Sequence, residues 1–255
     1  MAINVNNLVF DKVLRVVAFN KSTDAYLYSM SQVQDAAING AAEATEVLDN
    51  VGARIMTLYR AKTAEFSGAN ALFDLGLLGA QVGSEKKIGA ATVPAFETIE
   101  VGGEMKLAHT PVGEITEIFA LNGDSSLGTK YVAGTAASET EFVITEDGTV
   151  TAPTSLAAGA KLFVMYDYEA TDAISIVNES NAFPKAVKLV IEALCYDPCD
   201  QDTKILCYIT AKNAIMSSDF DVTLAAGETH PFTYQLQQDY CDSEKRLYEV
   251  VVVED

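Results

Sequence analysis

Residues 44–83 read ATEVLDNVGARIMTLYRAKTAEFSGANALFDLGLLGAQVG, and this stretch contains the signals that decide the fold. A short apolar strand is predicted around Glu46–Leu48. The run Asp49-Asn50-Val51-Gly52 predicts a turn, because Asp and Asn favour turn conformations and Gly52 tolerates a positive φ. A long extended segment is then expected from Arg54 to Phe66.

A helix is predicted to follow this segment. Ser67 and Gly68 are expected to break the extended run, and leucines at helical spacing predict an amphipathic helix over residues 69–81. Ser67 would be its N-cap and Gly83 its C-terminal stop. Strand, turn, long strand and helix form a scaffold, and this scaffold contains no catalytic motif.

The flanking sequence is rich in strand signals. Residues 32–38 are ambiguous between helix and strand, and they end at Asn39-Gly40, which predicts a turn. The terminal run Tyr248–Asp255 is β-prone, so its edge must be covered by its own sheet or by a neighbouring subunit. The other strands are predicted at residues 7–19, 25–30, 186–196, 204–211, 220–224, 232–237 and 247–253.

The pattern of residue types changes between residues 107 and 168, where turn sequences recur and separate short predicted strands. This spacing predicts a small all-β unit, which is either an inserted subdomain or an extension of the main sandwich. The expected organisation is therefore a first domain formed by residues 1–104 and 169–255, with a helix near 69–81, and an all-β subdomain at 105–168. The short strands are predicted at residues 117–121, 141–144, 149–151 and 161–168.

Composition excludes several functional classes. The chain has 255 residues and a net charge of −19, from 36 acidic and 17 basic residues. Nucleic-acid binding needs a basic surface that displaces counterions, and no basic surface is predicted. No apolar run approaches the roughly 20 residues that span a bilayer, and the first residues lack the pattern of a secretory signal.

No residue pattern predicts an active site, a cofactor or a metal. Gly123–Lys130 resembles a phosphate-binding loop, but Thr129 and Lys130 are transposed and a strand follows, so we interpret it as a hairpin loop. Only one pair of the four cysteines, Cys195 and Cys199, has the short spacing of a structural zinc site. For the four cysteines, a zinc site is therefore the weaker hypothesis, and reduced thiols are expected.

The remaining candidate residues point to no enzyme. His109 and His230 are both expected in loops, and neither belongs to a hydrolase motif. Tyr166 and Tyr168 share one strand face and could form the aromatic platform of a carbohydrate-binding module. A metal-dependent hydrolase and such a module both stay open as alternatives.

The stretch at 44–83 resembles the tail tube (major tail) proteins of long-tailed bacteriophages, and the later run Phe183–Ala193 is similar to the later strands of that family. The resemblance implies a mainly β chain, a β-sandwich or barrel-forming subunit with one flanking helix. It implies a structural virion protein without catalytic residues or cofactors. Six subunits would form a ring, and rings would stack into a tube that conducts DNA during ejection.

The resemblance also implies partners and a location. The chain would contact copies of itself and other tail proteins, such as the tape measure, the terminator and the baseplate. It would let DNA pass without binding it specifically, and it would not contact a membrane. We expect synthesis in the cytoplasm of the bacterial host and a final place in the tail of the virion.

Two segments are candidates for assembly contacts under this interpretation. The turn with Asp49, Asn50 and Gly52 would lie at the rim or contact the next ring. The loop 83–89, with Lys86 and Lys87, would become ordered when rings stack. The alternative role is another structural one: a capsid decoration, a tail terminator, a baseplate component or an adhesin-like β protein.

Overall fold

The computed structural model describes residues 7–241, 243 and 245–254. Residues 1–6, where the sequence predicts no secretory signal, lie outside this range. The described chain is mainly β, with two sheets and one helix, and this confirms the predicted fold class. It divides into two compact units, residues 1–86 with 176–255 and residues 87–175.

Within its described residues, the first unit contains one helix and eight strands. The helix α1 spans Leu75–Val82. The strands before it are β1 (Val9–Asn20), β2 (Tyr26–Met30), β3 (Val33–Leu48) and β4 (Arg54–Asn70). Strands are numbered along the whole chain, so the first unit continues in the last third with β12 (Ala186–Asp197), β13 (Asp200–Met216), β14 (His230–Leu236) and β15 (Glu249–Glu254).

The second unit contains the strands in between. They are β5 (Lys87–Glu100), β6 (Pro111–Val112), β7 (Glu117–Leu121), β8 (Leu127–Ala133), β9 (Glu141–Ile144), β10 (Val150–Thr151) and β11 (Lys161–Ser175). They form one sheet in the order β10-β9-β8-β7-β11-β5, with β6 on β11. Its core contains the fully buried side chains of Ile118, Phe142 and Leu162.

The second unit is longer than the turn signals indicate. It begins at Lys87 and ends at Ser175, whereas the sequence predicts 105 and 168. The reason is that β5 and β11 pair along nearly their whole length, from Lys161 opposite Glu100 to Ser175 opposite Lys87. Turn density identifies the short strands β7, β9 and β10, but it misses β6, β8 and the full length of the pair β5 and β11.

The eight strands of the first unit form a single sheet that is curved around one core. The strand order is β2-β1-β12-β13-β14-β4-β3, and β15 pairs with β13. Three strands separate β2 from β14 in this order, yet the hydroxyls of Tyr28 and Tyr234 are hydrogen-bonded to each other in the core. Burial raises the pKa of both hydroxyls, so both keep their protons and one donates to the other. This contact shows that the sheet folds over itself.

The helix is shorter than predicted, and its predicted start is wrong. The N-cap is Asp74, whose Oδ1 accepts from the backbone N–H of Leu77 at 2.9 Å. Ser67 lies inside β4, because β4 pairs with β3 on one edge and with β14 on the other through Asn70. Gly68 allows β4 and β14 to lie close together at this point, since a Cβ at position 68 would lie 2.9 Å from the ring of Phe232.

No described helix is long and apolar enough to cross a membrane.

Two further turn and strand predictions are wrong. Asn39-Gly40 is not a turn, because both residues lie within β3 and pair with Glu65 and Ala64 of β4. Residues 220–224 are not a strand but part of the connection between β13 and β14. The edge of β13 that they would need is already taken by β14, which pairs with Ala214–Met216.

The glycines of α1 allow the helix to pack closely on its neighbours. A Cβ on Gly76 would lie 3.0 Å from the Cβ of Tyr28 in β2. Gly83 ends the helix with a φ of +74°, and its N–H donates to the carbonyl of Gly79. A Cβ at Gly83 would overlap the backbone of Phe183. The helix can therefore sit directly on the sheet and on the segment after β11.

His230 is not a loop residue, contrary to the prediction. It begins β14, is 1% exposed, and its ring stacks on Phe73 with 5.3 Å between ring centres. Its Nε2 lies 2.7 Å from Oε1 of Gln81, whose own Nε2 donates to the carbonyl of Pro231. Gln81 Oε1 must therefore accept, which places the proton of neutral His230 on Nε2. Burial lowers the pKa of His230, although Asp74 acts in the opposite direction.

We predict that Gly83→Ala destabilises the chain more than Gly52→Ala. Both glycines have a left-handed φ, +74° and +85°, so both alanines carry a conformational cost of about 1 kcal/mol. Only position 83 adds a clash, since nothing lies within 4 Å of a Cβ at Gly52. Chemical denaturation should show the larger loss for Gly83→Ala, and equal losses would contradict the packing described above.

We predict a loss of stability in mild acid that depends on His230. Its folded pKa lies below the unfolded value of about 6.5, so the unfolded chain binds the proton more readily. The stabilisation is complete above that value and is lost as pH falls towards the lower folded pKa. Urea denaturation between pH 5 and 8 should show this slope, of at most about 1.4 kcal/mol per pH unit.

The matched variants for this measurement are His230→Gln and His109→Gln. The slope should be reduced in His230→Gln and retained in His109→Gln, relative to the unaltered chain. An identical slope in His230→Gln would show that other groups cause the acid sensitivity.

Candidate assembly surface

The outer half of the β3–β4 hairpin is an unsupported two-stranded ribbon, which we call the distal arm (residues 41–63). β14 pairs with β4 only through residues 64–70, and within the described chain no strand pairs with the outer edge of β3. Beyond this point the two strands pair only with each other. Eight residues from Ala41 to Leu48 give a reach of roughly 26 Å at about 3.3 Å per residue.

Large apolar side chains of the arm are exposed to solvent. Val51 at the tip is 81% exposed and Tyr59 is 74% exposed. Leu48, Ile55 and Met56 are exposed as well. An isolated hairpin is marginally stable in water, and an open strand edge with apolar side chains promotes pairing with another chain. The arm therefore has the properties of a contact surface.

The predicted turn at the tip of the arm is confirmed. Oδ1 of Asp49 accepts from the backbone N–H groups of Val51 at 2.9 Å and Ala53 at 2.7 Å. The N–H of Gly52 donates to the carbonyl of Asp49, and the φ of Gly52 is +85°. Asn50 is exposed beside them. The side chain of Asp49 is thus used to close the turn, while Asn50 and Val51 face solvent.

A β-bulge lies where the arm leaves the sheet. The register shifts by one residue between the pair Ala41–Thr63 and the pair Glu43–Arg60. Ala61, inside this step, has a φ of +47°, an unusual value for a residue with a Cβ. Bulges bend the strand and increase its local twist. The bulge therefore sets the direction in which the arm leaves the sheet.

The arm carries no net charge, in contrast to the rest of the chain. Residues 41–63 contain three acids and three bases, so the whole net charge of −19 lies elsewhere. Glu46 forms an ion pair with Arg54, and Glu43 lies opposite Arg60 in the register. A neutral apolar arm can approach another copy of an acidic chain without strong repulsion.

The second pair of candidate residues, Lys86 and Lys87, lies at the start of β5, outside the arm in the chain. Both side chains are exposed. Lys86 is the last residue before β5, and Lys87 is its first residue, opposite Ser175. The expected loop 83–89 is therefore limited to residues 83–86, because residues 87–89 are strand. Within the first unit, no hydrogen bond or ion pair of the described residues joins the side chain of Lys86 to Asp49, Asn50 or Gly52.

Two more open surfaces belong to the first unit. A cavity of about 660 Å³ opens where β1 and β3 face each other, and it is lined by apolar side chains that include Phe10, Val13 and Ile38. β15 pairs with β13 on one edge, and within the described residues nothing pairs with its other edge. Val250, Val251 and Val253 are exposed there. These surfaces add to the apolar area that the arm leaves open.

The other candidate groups do not form a reactive site. Cys195 and Cys207 are buried and Cys199 and Cys241 are exposed, all as free thiols. Among the described residues, no group of three or more His, Cys, Asp or Glu side chains could hold a metal ion. The predicted hairpin loop lies between β7 and β8, but it is limited to residues 122–126, because Leu127–Lys130 belong to β8.

The expected aromatic platform of Tyr166 and Tyr168 is not on the surface. Tyr166 is buried and donates its hydroxyl proton to Glu97, and Tyr168 is stacked on His109 with 3.9 Å between ring centres. Burial raises the pKa of Tyr166 to about 12, and the bond to Glu97 acts in the same direction. The hydroxyl of Tyr166 and the ring of Tyr168 therefore hold the loop around His109 on the sheet, and the buried Tyr166 offers no free face for a sugar.

The length of the arm is not evident from the sequence. The sequence predicts the turn at its tip, but it predicts only residues 46–48 as the strand before that turn. The composition of residues 33–48 does not indicate a strand, because it has four β-branched residues against ten of Ala, Gly, Asn, Asp and Glu, which are uncommon in strands. Asn39-Gly40 also argues against a continuous strand, because the pair is a common turn sequence.

Two comparisons with known proteins bear on the identity of this chain. No curated protein matches the chain. The model of the YomU/Tube protein family matches residues 8–246, nearly the whole chain, and this confirms the resemblance to tail tube proteins. The match covers β1 to β14 and includes the entire distal arm. The chain belongs to the YomU/Tube protein family.

Proposed function

We propose that this chain is the subunit of a phage tail tube, which assembles into hexameric rings that stack into a hollow conduit. Family membership supports a structural protein of the phage tail and implies a role without catalysis. The distal arm supports the proposed assembly into rings and tubes, because it exposes a neutral apolar β-ribbon that a neighbouring copy can cover.

The type of contact explains why rings and tubes form. We infer that the arm is received by a different part of the neighbouring copy, which makes the contact head-to-tail. Head-to-tail contacts close into rings or continue as filaments, whereas self-complementary contacts stop at dimers. Joining free strand edges between subunits also removes those edges from solvent. The free edges of β3 and β15 are available for such joining.

The charge of the chain suits a conduit for DNA. Six copies would carry about −114 (6 × −19), and the sign matters more than the size. A lumen with negative potential repels the phosphate backbone and keeps DNA from adhering to the wall. DNA would therefore pass without specific binding.

The same proposal gives the chain its partners and location. Copies of the chain would be the main partner, with the tape measure, the terminator and the baseplate at defined places along the tube. The chain would be made in the bacterial cytoplasm and used in the virion tail, without a membrane contact. Family membership supports the tail location.

Removing the distal arm should abolish tubes and leave a folded subunit. Ala41 and Thr63 are directly paired, so replacing residues 42–62 by Asn-Gly joins them through a two-residue hairpin turn. Negative-stain electron microscopy across a concentration series should show hollow tubes with a regular axial repeat for the unaltered chain and none for the shortened chain. Circular dichroism checks that the shortened chain is folded.

Point variants separate the arm from general surface hydrophobicity. Tyr59→Ser should reduce tube yield, whereas Leu224→Ser should not, although Leu224 is 90% exposed. A normal yield of tubes from the shortened chain would refute the assembly role of the arm. Single rings or monomers from the unaltered chain, at every concentration, would favour a terminator or a decoration protein instead.

Lys86 and Lys87 should contribute to stacking through their charges. The double variant Lys86→Ala, Lys87→Ala is expected to lower tube yield, because cations at this point can contact an acidic neighbouring subunit. The free energy of unfolding should change by no more than about 0.5 kcal/mol per site, as for other exposed residues. Lys130→Ala with Lys161→Ala is the charge-matched control, and an equal effect of both double variants would assign the loss to net charge alone.

A further inference from the structure

The sheet of the second unit exposes aromatic side chains on the face opposite its core. Phe96 of β5 lies opposite Met165 of β11, and Phe163 lies opposite Phe119 of β7, so all four point to the same face. Phe96 is 65% exposed, and its ring is parallel to that of Phe163, with 6.3 Å between centres. A solvent-facing sheet surface is normally polar, and an apolar patch of this kind marks a binding surface.

A cleft opens beside this aromatic surface because the ladder on one edge of β11 is interrupted. β6 pairs with Asp167 and Tyr168, and β7 pairs with residues 161–164 of the same edge. Between them, residues 113–116 leave the sheet, starting at Gly113 with a φ of +84°. The resulting cleft has a volume of about 280 Å³, and Pro94, Phe96 and Met165 line it.

The polar groups of the cleft are mainly carboxylates. Glu114, Glu117 and Asp167 line it together with the apolar side chains. Glu117 forms an ion pair with Lys130 at 3.0 Å, whereas the carboxylates of Glu114 and Asp167 have no ion-pair or hydrogen-bond partner among the described residues. The whole unit, residues 87–175, contains thirteen acids and four bases. The potential in the cleft is therefore negative.

We propose that this cleft binds an organic cation, an ammonium group that carries apolar substituents. An aromatic face attracts such a cation through its quadrupole, and quaternary ammonium groups are bound in this way. Glu114 and Asp167 supply the opposite charge, and the apolar wall suits the methyl groups. The same charges disfavour phosphates and other anions. The proposal does not depend on tube assembly, because every residue of the cleft belongs to the second unit.

The test uses choline as the probe and the full chain as the protein. Saturation-transfer difference NMR observes the ligand, so it works on free subunits and on large assemblies alike. Choline should give saturation transfer from its methyl groups, whereas its neutral isostere 3,3-dimethylbutan-1-ol at the same concentration should give much less. Equal signals from both molecules would overturn the proposal, because they would show apolar contact without recognition of the charge.

Variants assign the binding to the cleft. Phe96→Leu keeps an apolar side chain but removes the aromatic face, and it should weaken choline binding about threefold. Asp167→Asn should weaken it as well. Phe183→Leu and Asp172→Asn are the controls, since both remove an exposed group of the same type outside the cleft. Unchanged binding in both Phe96→Leu and Asp167→Asn would overturn the proposal.

A sedimentation assay distinguishes the source of the cation. Co-sedimentation with phosphatidylcholine vesicles that is lost in Phe96→Leu would place the ammonium group on a lipid headgroup. Binding of free choline without co-sedimentation would place it on a soluble molecule. Saturation transfer to neutral N-acetylglucosamine, with none to choline, would overturn the proposal in favour of a sugar site.

Discussion

The first unit depends on the closure of one sheet over its own apolar face. Its eight strands bury a core that includes Val16, Phe66 and Leu189, and the single helix of eight residues is too small to cover that face alone. The sheet must therefore fold over, which brings β2 and β14 together. The hydrogen bond between Tyr28 and Tyr234 satisfies the two hydroxyls that this closure buries. The glycine-rich helix then packs against β2, where Gly76 lies against Tyr28.

Closure of the sheet also determines what remains outside it. β14 is seven residues long, so it supports only the inner part of β4. The outer part of the hairpin continues into solvent as the distal arm, past a bulge at Ala61. An uncovered apolar β-ribbon of this kind favours pairing with another chain. In the second unit, one face of the sheet is covered by its own core, and the opposite face exposes aromatic side chains.

Local signals predicted the elements that are stabilised locally. The turn closed by Asp49 and Gly52 was found, because the side chain of Asp49 bonds to its own turn. The stop of the helix at Gly83 was found for the same reason. Elements that depend on a distant partner were predicted poorly. Ser67 looks like an N-cap, but pairing with Ala37 and Thr233 keeps it in a strand. His230 looks like a loop residue, but Gln81 and Phe73 bury it.

The sequence by itself determined the mainly β class, the acidic surface, the helix near residue 80, the hairpin tip and the likeness to tail tube proteins. These follow from composition and short-range patterns, which do not need a partner strand. Only the tertiary structure decided the strand order, the length of the arm, the true extent of the second unit and the cleft beside Phe96. Each of these depends on pairing between residues far apart in the chain, such as Tyr28 with Tyr234 or Lys87 with Ser175. Periodicity shows which residues are apolar, but the choice of neighbouring strand is made by the fold as a whole.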